Sequence, residues 1–146
     1  TQSRSSAASD VYKRQLSFLM ILGFGALMFE RGFFWTREQA SIIRDSDFYL
    51  ALHHIMPIWI WGVLAMIFSA FIIIAPFFLP TQKLNNTFNY LICIGGWGNA
   101  CFYFLMTSAS MFHAINWLSP LQFSTFTMIC GILGFYGGVE IVSRRR

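Results

Sequence analysis

FYLALHHIMPIWIWGVLAMIFSAFIIIAPFFL, residues 48–79, is the stretch that decides the fold. It contains no Asp, Glu, Lys or Arg. A helix needs roughly 20 apolar residues to cross the hydrocarbon core of a bilayer, so this run exceeds one crossing. In lipid every backbone N–H and C=O needs a partner within the protein, and a helix supplies them all. Pro57 divides the run. Proline has no N–H, so the carbonyl of His53, four residues back, loses its helical partner. The reading is a short interfacial piece followed by a crossing over 57–79. Ser46 and Asp47 offer cap chemistry where the piece begins, and Pro76 and Pro80 mark the far end.

Three more apolar runs flank this one. The first covers 16–29 and is extended by Phe33, Phe34 and Trp35, which gives a span over 16–35 with Glu30 and Arg31 near an interface. The mixed, charged stretch 36–47 reads as a loop or interfacial helix. Residues 81–87, with Lys83, form a short polar loop before a third span over 88–112. The fourth span, 120–142, opens at Ser119-Pro120, where Ser can cap and Pro suits the first turn. It stops before Arg144, Arg145 and Arg146, and Glu140 can pair with Arg144 four residues on. The expected fold class is all-α, an integral membrane helical bundle of about four transmembrane helices forming a single domain over 16–146.

Composition agrees. The chain has 146 residues, 56% of them hydrophobic and 11% charged, with a mean hydropathy of +0.57. Soluble domains carry about 25% charged residues, and a small one leaves too much surface in water to hide this much apolar area. Seventeen phenylalanines suit lipid-facing surface. The net charge of +4 is read as orienting the chain, and no nucleic-acid partner is expected. Cys93, Cys101 and Cys130 lie in apolar runs without C-x-x-C spacing, so they read as small buried residues and not as a disulfide or zinc framework. Residues 1–15, TQSRSSAASDVYKRQ, are polar and Ser-rich. The string SSAASDVYKRQ resembles translated adaptor sequence, and the segment is read as a disordered or non-native leader.

Small residues suggest the packing faces. Ser124, Thr127, Gly131, Gly134 and Gly138 recur three or four apart, which puts them on one side of the fourth span. Gly134 and Gly138 form a small-x-x-x-small pair of the kind that lets helices approach closely. Gly96 with Ala100, and Gly95 with Asn99, repeat the spacing on the third span. The expectation is packing within one chain, with Gly137 off the stripe. A homo-oligomer stays open as an alternative use of these faces.

Four crossings put both termini on one side. Arg4, Lys13, Arg14, Lys83 and the terminal arginines share that side, against Arg31, Arg37 and Arg44 on the other. By the positive-inside rule both termini are expected in the cytoplasm. Glu30, His53, His54, His113 and Asn116 then gather near the outer face. His53, His54 and His113 are the candidate cofactor-binding residues, because histidine ligates haem and metals. The competing reading is that water at the headgroups satisfies them. Asn99 lies deep in the third span, where an amide is costly without a partner. It reads as an interhelical hydrogen bond or as a polar lining. Trp35, Trp59, Trp61 and Trp117 fit an outer aromatic belt, while Trp97 reads as core.

From Ser46 onward the text resembles small multispan membrane proteins of temperate phages and prophages of Gram-positive bacteria. The resemblance rests on Ser46-Asp47-Phe48-Tyr49, Pro57-Ile58-Trp59-Ile60-Trp61-Gly62, Ala114-Ile115-Asn116-Trp117-Leu118 and Gly137-Gly138-Val139-Glu140. It implies a phage-type membrane protein and assigns no site residue. No convergent acid, base or nucleophile set is visible, so no enzyme, catalytic residue, metal or required cofactor is expected, and the partner is the lipid bilayer. A holin-like lesion former and a haem- or quinone-binding redox subunit are the alternatives.

Overall fold

Run length and proline position set where each helix begins and ends. The computed structural model describes residues 2–40, 43, 47–113 and 116–145; for 2–8, 48, 112 and 113 it describes the backbone alone. The helices are α1 (Gln2–Arg37), α2 (Asp47–Ile55), α3 (Ile58–Ile74), α4 (Thr87–His113) and α5 (Leu118–Ser143). A 3-10 stretch, Ala75–Thr81, carries α3 onward. Four segments are long and apolar enough to cross a membrane: Ser9–Arg37, Ile58–Thr81, Thr87–Met111 and Leu118–Ser143. The chain is an all-α, multi-pass membrane bundle.

The residues read as a leader, 1–15, form from Gln2 onward the opening turns of α1. No proline or glycine precedes Gly23, and extending an existing helix costs far less than nucleating one. Of 36–47, Thr36 and Arg37 finish α1 and helical backbone returns at Gln39. Ser46, the expected cap, and Arg44 lie outside the described residues. Asp47 opens α2, where its carboxylate favours the positive end of the helix dipole.

Pro57 acts as the sequence requires. Its backbone lies at φ −50°, ψ 136°, outside the helical range, and α2 ends just before it. Two side chains mend the break. The Trp61 indole N–H donates to the Met56 carbonyl at 3.1 Å, and the Trp59 backbone N–H donates to Gln39 Oε1 at 3.0 Å. A helix end in lipid would otherwise leave such groups unpaired. At the start of α5 the expected Ser119 cap is replaced. Trp117 holds the cap position without a side-chain bond, and Asn116 Oδ1 accepts from the Leu118 N–H at 3.1 Å.

The crossings pack in chain order: α1 on α3, α3 on α4, α4 on α5. Aromatic contact between Phe24 of α1 and Phe126 of α5 brings the outer helices together. The buried positions of α3 are Ile58, Gly62, Ala65, Ser69 and Ile72, spaced four, three, four and three. Those of α5 are Phe123, Cys130, Gly134, Gly137 and Ile141. Alternating threes and fours make a continuous seam along a slightly supercoiled helix.

Two glycine crossings let the backbones touch. On Gly62 an added Cβ would stand 2.5 Å from the Gly32 carbonyl oxygen and 2.8 Å from the Thr36 nitrogen. On Gly96 it would stand 2.5 Å from the Gly134 nitrogen. Gly95, one residue round, instead faces the Phe68 carbonyl of α3 at 2.8 Å. α4 thus uses adjacent glycines against two different neighbours.

The α5 stripe needs correction. Gly134 belongs to the seam, but an added Cβ on Gly131 would meet nothing within 4 Å, and one on Gly138 only Cys93 Sγ at 3.7 Å. Gly137, expected off the face, is packed against Asn89 and Cys93 backbone. The stripe through Gly131 and Gly138 and the true seam through Cys130 and Gly137 intersect at Gly134, and their centres differ by about 60° around the helix. Trp35 leaves the aromatic belt for the core, where it is 1% exposed, whereas Trp97 is 49% exposed. Trp59 and Trp117 do face outward. Of the cysteines, all free, only Cys130 is buried; Cys101 is exposed and Cys93 is half-buried.

Candidate functional site

Polar groups occur at three levels. In the middle, Asn99 and Ser69 are both buried. The Ser69 hydroxyl donates to Asn99 Oδ1 at 3.3 Å, and Asn99 Nδ2 donates to the Gly95 carbonyl at 3.0 Å. The amide is thus satisfied across α3 and α4. Its interhelical partner lies on α3, and α5 supplies none. The pair ties α3 to α4 as the interhelical hydrogen bond expected of Asn99.

At the end holding the 81–87 turn, the C-terminal arginines act as a clasp. Arg144 pairs with Glu140 at 3.0 Å, as the four-residue spacing implied. Its guanidinium also donates to the Gln82 and Asn85 carbonyls. Arg145 donates to the Tyr90 hydroxyl at 2.9 Å. Gln82 Nε2 donates to Asn89 Oδ1 at 3.1 Å, and Asn89 Nδ2 to Asn86 Oδ1 at 3.1 Å. Each of these bonds is directed inward to the fold. Arg146 lies outside the described residues.

The opposite end carries the candidate site. α1 finishes there, α2 lies across it, and α4 and α5 meet there. An aromatic cluster fills the space: Trp35 against Phe102 at 5.3 Å, Trp61 against Phe102 at 5.8 Å, and Tyr103 against Phe102, Phe123 and Phe126 at 5.2, 6.1 and 5.4 Å between ring centroids. Leu52 of α2 and Met28 of α1 join the same core. Arg31, expected at the interface, turns over this cluster. Its guanidinium carbon lies 5.3 Å from the Phe123 centroid and 5.2 Å from the Phe126 centroid. Cation–π attraction holds it there. Tyr103 is fully buried, and its hydroxyl has no hydrogen-bonding partner among the described residues.

The histidines divide. His53 turns one ring nitrogen, Nδ1, into the fold, where it is buried without a partner among the described residues. His54, next along α2, is exposed, as is Glu30 on α1. The His113 side chain lies outside the described residues. Asn116 Oδ1 accepts from the Leu118 N–H at the start of α5. Among the described residues no group of three His, Cys, Asp or Glu side chains is placed to hold a metal ion. Arg31 and Tyr103 are the residues sequence reading missed as a pair. The arginine was visible as a charge inside an apolar run, whereas nothing marked Tyr103 among seventeen phenylalanines.

Comparison with known proteins finds no matching family model, curated relative or solved structure.

Proposed function

We propose that this chain is a non-enzymatic, multi-pass membrane accessory protein of the phage or prophage type, with both termini in the cytoplasm. The observation that favours it over a lesion former is where the closest-packing glycines are spent. Gly32 with Gly62, and Gly96 with Gly134, bring helices of the same chain together. A protein that opens lesions by self-association relies on such small-residue contacts between copies. The asymmetric polar ends fit the orientation, since Lys83, Arg144 and Arg145 share the end where α5 finishes.

Inducible expression in a bacterial host tests the reading. The host is expected to keep its membrane potential and exclude an impermeant dye. Dye entry at modest expression would establish the holin-like alternative instead. A C-terminal reporter is expected to be active only in the cytoplasm. The redox-subunit reading has one observation in its favour, the buried Nδ1 of His53, which has no partner among the described residues. A visible spectrum of the purified protein with a haem band would replace the accessory reading by that one.

A further inference from the structure

Arg31 and Tyr103 present a mismatch of chemistry. The guanidinium carries five N–H donors in its plane and no acceptor. Stacking on ring faces stabilises its charge but leaves those donors unused. No carboxylate among the described residues lies within ion-pair distance of it. Glu30, its neighbour in sequence, is exposed. Tyr103 contributes a buried hydroxyl with no partner among the described residues. The tyrosine ring packs against Phe123 and Phe126, the same two rings that carry the guanidinium. Two donor groups without a hydrogen-bonding partner among the described residues therefore share one aromatic wall. Intramembrane arginines are costly unless they meet an anion or an acceptor, and a buried hydroxyl without a partner carries its own penalty.

We propose that Arg31 and Tyr103 form a binding site for a phosphate oxyanion, with the guanidinium supplying charge and paired N–H donors and the phenol supplying one O–H donor. An oxyanion answers both donors at once, and guanidinium–phosphate pairs are commonly bidentate. Arg31 is half-buried, and its guanidinium is stacked on the Phe123 and Phe126 ring faces. The shared chemistry fits the phosphate of an anionic lipid headgroup or a soluble phosphate.

The test uses the full chain in a neutral detergent and reads its melting temperature. The probes are short-chain phosphatidylglycerol, the matching phosphatidylcholine and inorganic phosphate. Phosphatidylglycerol is expected to raise the melting temperature in a saturable way, and more than phosphatidylcholine. Arg31→Gln should abolish the rise, and Tyr103→Phe should weaken binding several-fold while the protein stays folded. An equal rise with inorganic phosphate supports the site and makes the occupant a soluble anion. Tyr103→Phe guards against misreading, because it keeps the ring and removes only the hydroxyl. Lys83 and Arg145 at the opposite end can also attract anionic lipid, and neither variant alters them. If neither anion shifts the melting temperature, or if Arg31→Gln and Tyr103→Phe bind like the parent, the site does not exist.

Discussion

Gly137→Ala tests the seam between α4 and α5 with one added carbon. That carbon would lie 2.7 Å from the Asn89 carbonyl oxygen, 2.8 Å from the Cys93 nitrogen and 3.1 Å from the Cys93 Cα. All three are backbone atoms of another helix, so no rotamer change relieves the clash. Non-bonded carbon contacts are comfortable at about 3.5–4.0 Å, so the helices must part locally by about 1 Å. Parting there also loosens Gly96 on Gly134, because the same two helices meet at both places. Overpacking of this kind costs about 1–3 kcal/mol, a factor of about 5 to 150 in the folding equilibrium. Gly131→Ala is the matched control. Its new carbon meets nothing within 4 Å, and such changes usually fall within about 0.5 kcal/mol. Gly134→Ala should fall between the two, since part of what it meets is the rim of the half-exposed Trp97 ring. Titrating each variant from mild detergent into SDS, and following helicity or tryptophan fluorescence, gives the unfolding midpoints. Identical midpoints for Gly137→Ala and Gly131→Ala would falsify the seam and return the packing face to the stripe through Gly131.

The other interhelical contacts give comparable tests. Gly62→Ala should destabilise at least as much as Gly137→Ala, because its new carbon would meet the Gly32 carbonyl and Thr36 at 2.5 Å; the same SDS titration reads it. Trp61→Phe should cost about 1–3 kcal/mol by stranding the Met56 carbonyl at the Pro57 break, whereas Trp59→Phe, whose ring faces outward, should change the midpoint little. A double-mutant cycle on Ser69→Ala and Asn99→Leu should return a coupling of about 0.6 kcal/mol, the usual size for hydrogen bonds between membrane helices. A coupling of zero would show that the pair does not bond.

Much of this fold was legible because lipid imposes simple rules. Run length against bilayer thickness placed all four crossings, and the missing N–H of Pro57 placed the break between α2 and α3. The Glu140–Arg144 pair followed from local spacing alone. Facing directions were harder. Inside a membrane both the lipid side and the packed side are apolar, so hydrophobicity does not separate them as it does in water. Small residues were the remaining guide, and on α5 they offered two stripes crossing at Gly134. Choosing between them requires knowing that Asn89 and Cys93 stand opposite Gly137, which is information held by another helix. Trp35 and Trp97 exchanged roles for the same reason. The candidate site was less visible still. Arg31 could be found as a charge near a span end, but its inward turn depends on Phe123 and Phe126, more than ninety residues away in the chain. The histidines were obvious in the sequence, but that His53 turns a ring nitrogen into the fold, without a partner among the described residues, was not.

The two ends of the bundle treat their arginines differently, and the difference predicts opposite outcomes for matched substitutions. The 3-10 stretch Ala75–Thr81 and the turn after it leave carbonyls at Gln82 and Asn85 without helical partners, and Arg144 supplies N–H donors to both. Glu140, one turn back, fixes the guanidinium from the other side. Arg144 therefore closes a loop onto α5, and its bonds are all to groups of the fold. Among the described residues Arg31 has no comparable bond, and its guanidinium lies over the Phe123 and Phe126 rings. Arg144→Gln should accordingly free the turn and speed hydrogen exchange at residues 82–86, while the exposed setting keeps the effect on global stability small. Arg31→Gln should leave exchange throughout α1 and α5 near the parent's and alter only the response to anions. Exchange by mass spectrometry in detergent separates the two cases. Unchanged exchange at 82–86 in Arg144→Gln would mean that the clasp does not form in solution. Faster exchange across α1 in Arg31→Gln would make that arginine a structural brace, and its free donors would no longer argue for a ligand.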